Sequence, residues 1–324
     1  MFKSKTILII QYLAFAIISV GLVYYCFGKI DLSTFYNTLL KGNYSILFLV
    51  TIVSLVVYYI RIKRWQYLLK SLHYKLAFNT GFASLASCYL VSFVVPRAGE
   101  IVRCAITKQT DKIDLTANAT SIIFERLVDI LCLFILLVSL LGIELFIDTK
   151  ILLNWIDFNS YVLLIKKYAF LGIIGVVAVS IFLYLNKSQK INQFLIKLWL
   201  DIKILLQYAT NIGFLAQTLA IWCCYFLMTY LWFFVFESTS QLSLLQALQI
   251  TLVGSLARSL PLPGGAMGAY HLAVALALNK MHIDNETALS LAFIIHGFQT
   301  VYTFFVGSTS LTWLLLTNKI YRIK

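Results

Sequence analysis

Six stretches of this chain are long and apolar enough to cross a bilayer as helices, and nothing else in the sequence narrows the fold as far. They run over 6–27, 45–62, 117–143, 161–185, 211–236 and 288–316. A span needs about 20 mostly apolar residues, because the hydrocarbon layer offers no partner to an unpaired backbone group. The polar remainder is never long enough to bury a core of its own, so residues 1–324 read as a single transmembrane domain. At 61% hydrophobic and 12% charged residues, a water-soluble fold is excluded. The expected class is therefore an all-α polytopic membrane protein. Its first apolar run follows Lys3 and Lys5, exceeds a signal-peptide core and lacks a small-x-small cleavage site, so it reads as a retained anchor.

Two further apolar regions are broken. Pro96-Arg97-Ala98-Gly99-Glu100 interrupts 78–109, and Pro261-Leu262-Pro263-Gly264-Gly265 interrupts 243–280. Charge says how they sit. Most of the 26 lysines and arginines fall in segments that would be cytoplasmic if the N-terminus is inside, among them Arg61, Lys63, Arg64, Lys70, Lys75, Lys108 and Lys112. The opposite side receives few basic residues and most of the loop acids, including Glu144, Glu237, Asp284 and Glu286. Parity then requires 78–109 to enter and leave on one face, and 243–280 to enter and leave on the other. The expectation is about six full spans plus two oppositely oriented re-entrant hairpins whose tips meet, with both termini cytoplasmic. Broken helix is tolerated at membrane depth only where protein or a water-filled cavity surrounds it, which makes the two breaks a transport-site signal.

The ionisable residues inside these segments gather in three clusters. Arg97, Glu100 and Arg103 lie at the first break. Glu125, Arg126 and Asp129 sit within an otherwise apolar span, with Glu125 and Asp129 one turn apart. Arg258 precedes the second break, whose Gly264 and Gly265 would free backbone N–H groups for an anion, and His271 follows it. His296 adds a polar group to the last span. Charged groups in a membrane cost several kcal/mol unless paired or facing water. The expectation is that Glu100, Arg103, Arg126 and Asp129 form one coupled network, leaving a net positive site for an anionic headgroup; the alternative is an ion-pair network that only fixes helix depth. His271 gives that site a group whose ordinary titration range, between about pH 5 and 8, would make transport pH-dependent.

Other chemistry finds little support. The +13 formal charge is scattered between spans rather than gathered on one element, which argues against nucleic acid. The six cysteines show no CxxC pair and read as small core residues. No GxSxG, HExxH or Walker-type motif occurs, so neither an enzyme, a metal nor a cofactor is expected.

At VPRAGEIVR (Val95–Arg103), ERLVD (Glu125–Asp129) and LPLPGGAMGAYH (Leu260–His271) the chain resembles the transmembrane domain of the lysylphosphatidylglycerol synthase/flippase family. The resemblance runs over nearly the whole chain, from Arg64-Trp65 onward. It implies movement of lipids between leaflets of the bacterial cytoplasmic membrane. Two positions depart from the family's pattern: His271 stands where a glutamate is frequent, and His296 where an arginine is frequent. No transferase domain follows the last span, so lipid aminoacylation is not implied. The resulting expectation is an ATP-independent lipid translocase for an anionic or zwitterionic phospholipid or a polyprenyl phosphate. Substrate contacts are assigned to Arg97, Glu100, Arg103, Glu125, Arg126, Asp129, Arg258, Gly264, Gly265, His271 and His296. The alternatives are a non-catalytic membrane partner of a cell-envelope or lipid synthase, and an intramembrane lipid-modifying enzyme.

Overall fold

A computed structural model describes residues 17, 19–26, 28, 31–147 and 189–317, and all of their regular structure is helical. The span expected over 161–185 lies outside the described residues; of that over 6–27, residues 17 and 19–26 are described, and they are helical. The other four expected spans are present. Helix α1 (Leu32–Leu40) is short, and α2 (Ile46–Ser71) crosses. The hairpin arms α3 (Phe78–Val94) and α4 (Ala98–Thr110) follow, then the long α5 (Leu115–Ile147). Next come α6 (Gln189–Ala209) and α7 (Ile212–Trp232), the latter extended by a 3-10 turn. A second pair of arms, α8 (Leu244–Ser259) and α9 (Ala269–Lys280), precedes the final span α10 (Asn285–Leu316). Of these, α2, α5, α7 and α10 are long and apolar enough to cross a membrane.

The arms are too short to cross. At 1.5 Å per residue, α3 reaches about 25 Å and α4 about 20 Å, against a hydrocarbon thickness of about 30 Å. Pro96 explains the first break: it lacks an N–H and forces its predecessor out of the helical region, and Val95 is extended. Arg97 then reverses the chain at φ 68°, an uncommon conformation for a residue with a side chain. The arms meet backbone to backbone at Gly99, where an added Cβ would fall 1.9 Å from the Cys88 carbonyl oxygen. At the open end Asp111 ties both arms, accepting from the Ala77 N–H at 3.0 Å and the Thr80 hydroxyl at 2.7 Å.

The second break contains four consecutive or near-consecutive left-handed residues, Gly264, Gly265, Ala266 and Gly268, so two glycines in a row are what this turn requires. At the far end of α8, where the hairpin begins, a reciprocal cap starts the helix: Ser243 Oγ accepts from the Gln246 N–H while Gln246 Oε1 accepts from the Ser243 N–H.

Contacts at the two faces give the hairpins opposite orientations. On one face Leu72, Leu76, Ile113, Leu205 and Phe214 share a cluster, and Lys197 bridges to Asp114. The Lys197 ammonium holds the Asp114 carboxyl below its usual range. The first hairpin opens here. On the other face Val50, Phe236, Leu242, Met281 and Leu289 share a cluster, and the Asn43 N–H donates to the Val235 carbonyl at 2.8 Å. The second hairpin opens there. The tips meet between them: Arg97 Nη2 donates to the Ser259 carbonyl at 3.1 Å.

One boundary expectation is corrected. Arg61 and Arg64, assigned to a cytoplasmic loop, belong to α2, which continues to Ser71, and both are buried. Glu144, assigned to the opposite loop side, is likewise buried within α5 and accepts from Gln249 Nε2 at 2.6 Å.

Two outcomes follow. Single cysteines at Ser238 and Asn285 in a cysteine-free background will react with an impermeant thiol reagent from the same face, and a cysteine at Lys112 from the other; labelling of Ser238 and Asn285 from different faces would make the second hairpin a crossing. Gly99→Ala will lower the thermal midpoint, since overpacking costs about 1–3 kcal/mol. Gly297→Ala, whose Cβ meets nothing within 4 Å among the described residues, will not.

Candidate functional site

Where the hairpin tips meet, they and helices α2, α5, α7 and α10 enclose a cavity of about 550 Å³. Its polar wall comes from three places. Arg97 and Glu100 stand at the start of α4, Arg126 and Asp129 on α5, and Arg258 at the end of α8. Gly265 and His296 complete it at the second break. These are seven of the residues marked in the sequence. Arg103, Glu125, Gly264 and His271 do not line the cavity.

The expected four-residue network resolves into separate pairs. Arg126 Nε donates to Glu100 Oε1 at 3.1 Å, with both side chains partly exposed. Arg103 Nη1 donates to Glu125 Oε2 at 2.8 Å, and this pair is sealed from solvent. The Arg103 guanidinium also lies over the Trp65 ring, 3.6 Å from its centroid, and Trp65 Nε1 donates to the Ser121 hydroxyl at 3.0 Å. Asp129 pairs with neither Arg103 nor Arg126. It accepts from both terminal nitrogens of Arg64 at 3.1 Å, and Arg61 Nη2 stands 3.9 Å away. Arg61 itself lines the cavity and donates to the Tyr225 hydroxyl at 2.9 Å.

The helical repeat explains this division. Along α5, Glu125 and Asp129 share a face one turn apart, while Arg126 is rotated about 100° from Glu125. Glu125 and Asp129 face the buried side, meeting Arg103 on α4 and Arg64 on α2, while Arg126, turned away from them, meets Glu100 at the partly exposed first turn of α4. Arg61 and Arg64 were missed because they read as loop charges. The available signal was their spacing: three apart on a continuous apolar helix that also supplies Trp65.

At the second break the roles differ from expectation. His271 Nδ1 accepts from the Gly268 N–H at 3.2 Å, so the imidazole caps its own helix and carries no proton on that nitrogen. It faces His296, ring to ring at 4.8 Å, rather than the cavity. His296 is the histidine in the wall. Arg258 extends over the Tyr270 ring, 4.3 Å from its centroid, and has no carboxylate partner among the described residues.

Four arginines and two carboxylates therefore share one cavity: Arg61, Arg97, Arg126 and Arg258 against Glu100 and Asp129. A cavity with excess positive charge, bounded by low-dielectric walls, concentrates an anion. Among the described residues no group of three or more histidines, cysteines or acids is placed to hold a metal ion, and all six cysteines are free.

Fold and site together define a helical membrane protein with a cationic cavity between two inverted, broken hairpins. Residues 11–307 match the family model described as the lysylphosphatidylglycerol synthase TM region, and the chain belongs to that family. No curated protein and no solved structure matches it.

The sealed pair is tested by substitution. Stranding one member of a buried pair costs about 3–5 kcal/mol, whereas replacing both with apolar groups is often neutral. Arg103→Leu will sharply reduce the yield of monodisperse protein, and Arg103→Leu with Glu125→Leu will restore much of it. Arg126→Leu, at a partly exposed pair, will be mild for folding. Strict additivity in the Arg103/Glu125 pair would show that the two side chains do not depend on each other.

Proposed function

We propose that this protein is a lipid translocase, moving a phosphate-bearing headgroup across a bacterial cytoplasmic membrane without ATP hydrolysis. The observation that carries this reading is the cationic cavity held between two hairpin tips of opposite orientation. A headgroup crosses hydrocarbon only if polar groups replace its hydration. Here Arg61, Arg97, Arg126 and Arg258 supply charge-assisted donors, while Glu100 and Asp129 keep the arginine cluster from self-repulsion. The aromatic wall behind them, including Tyr58, Phe93 and Trp232, suits the first methylenes of a lipid chain. Tips that reach in from opposite faces place the cavity between inverted elements, the arrangement on which alternating exposure is built. The distribution of basic loop residues supports cytoplasmic termini.

The test is headgroup accessibility in proteoliposomes containing the purified protein alone. Phosphate-bearing lipid will exchange between leaflets faster than in empty liposomes and without nucleotide. Arg258→Gln will slow exchange about tenfold, the loss of one charge-assisted contact, while the purified protein stays folded and monodisperse. No exchange above the empty-liposome rate, from monodisperse and correctly oriented protein, would overturn the translocase reading.

A further inference from the structure

The acids in this chain are few enough to account for almost completely, and that account discriminates between headgroups. The sequence holds 13 aspartates and glutamates, and only Asp148 and Asp157 lie outside the described residues. On the described membrane-crossing helices and hairpin arms, Glu286 sits in the first turn of α10, at the end of that span. The other acids there, on α4 and α5, are Glu100, Glu125, Asp129 and Glu144. Each is already engaged: Glu100 with Arg126, Glu125 with Arg103, Asp129 with Arg64, and Glu144 with Gln249. None of the four is left over to receive an ammonium group.

The surplus is on the other side. Arg97 and Arg258 line the cavity with no carboxylate partner among the described residues. They stand on different hairpins and line the same cavity, with Arg97 bound to the carbonyl of Ser259, the residue that follows Arg258. That carbonyl is a neutral acceptor, which an anionic oxygen would displace. Arg97 also holds φ 68° at the N-terminal end of the 13-residue α4, whose positive dipole end faces the same space. An uncommon backbone conformation and an uncompensated charge coincide at one residue, which is exposed and lines the cavity.

We infer that Arg97 and Arg258 form a two-guanidinium clamp across the hairpin tips for a terminal phosphate, a monoester carrying close to two negative charges, and that the cavity discriminates against amine-bearing headgroups. The assignment deepens the translocase reading and rests on it for the cavity's being the substrate site. Two uncompensated cations match a phosphate monoester, which carries about −1.5 to −2 at pH 7. A phosphodiester carries one charge, a zwitterionic headgroup none in sum, and a lysylated headgroup adds ammonium groups to a site already in positive excess. Among membrane lipids a polyprenyl monophosphate or phosphatidic acid offers this chemistry; inorganic phosphate offers it free.

Equilibrium binding to the purified full chain in detergent tests the clamp apart from transport. Titrations at about pH 7.5 would use polyprenyl monophosphate, phosphatidic acid, phosphatidylglycerol, lysylphosphatidylglycerol and inorganic phosphate, read by the fluorescence of Trp222 and Trp232 in the cavity wall. Both lipid monoesters will bind about tenfold or more tightly than phosphatidylglycerol, a difference of about 1.4 kcal/mol, and lysylphosphatidylglycerol will bind weakest. Arg97→Gln and Arg258→Gln will each compress the monoester preference, and Arg258→Lys will retain most of it. The wild-type ranking alone decides the matter if a variant fails to fold. Equal or tighter binding of phosphatidylglycerol or lysylphosphatidylglycerol, or a ranking unmoved in folded variants, would overturn the clamp. Inorganic phosphate binding as tightly as the lipids would support the clamp and assign it to the free ion. Binding of monoesters without their translocation would defeat the translocase reading and leave the clamp standing.

Discussion

A helix broken inside hydrocarbon exposes backbone groups that only protein or enclosed water can satisfy, and this structure is organised around two such breaks covering each other. Neither hairpin could hold its tip in lipid. Pro96 and the left-handed turn from Gly264 to Gly268 end their helices where a span would need to continue. The contact of Arg97 with the Ser259 carbonyl, and of the Phe93 ring with Gly265, closes one break against the other. The long helices then serve as walls around that junction. The cavity is a consequence of two irregular tips that cannot interdigitate as regular helices do.

The ionisable residues divide by depth of burial, and the division separates structure from function. Arg103 and Glu125 are sealed, and Arg103 lies over the Trp65 ring, so the pair binds α4, α5 and α2 into one unit. Arg64 does the same for Asp129, and its side chain is fully buried. Of the remaining arginines, which line the cavity, Arg61 is buried and donates to Tyr225, whereas Arg97, Arg126 and Arg258 are exposed. Their charge is only partly neutralised, which costs stability unless a ligand supplies the balance, and such uncompensated charge is expected of a binding site rather than a scaffold.

Much of this plan was legible before any coordinates. The boundaries 78–109 and 243–280 fall within two residues of the helical arms, because proline and glycine punctuate strongly and the apolar runs on each side are clear. Opposite orientation followed from loop charge alone. What could not be read was partnership. Asp129 has Arg126 three residues away on its own helix, yet it pairs with Arg64, 65 residues earlier. Local spacing favours the near neighbour, and only tertiary packing brings up the distant one. Arg61 and Arg64 were assigned to a loop because the positive-inside pattern makes loops the default place for arginine, and a 26-residue helix that runs on past both and buries them breaks that default. His271 was marked for the cavity on sequence position alone. Its use as a cap depends on the backbone conformation of Gly268, at φ 82°, which no pattern of residue types specifies.

The proposed translocation requires the headgroup to occupy the junction of the two hairpin tips, which a structure of the full chain in lipid nanodiscs supplied with polyprenyl monophosphate would reveal. The expected result is phosphate density between Arg97 and Arg258, with the Arg97–Ser259 hydrogen bond released and the lipid chain leaving along the cavity's aromatic wall. Ordered lipid confined to the outer surfaces of α5 and α10, with the junction closed and Arg97 still on the Ser259 carbonyl, would contradict it.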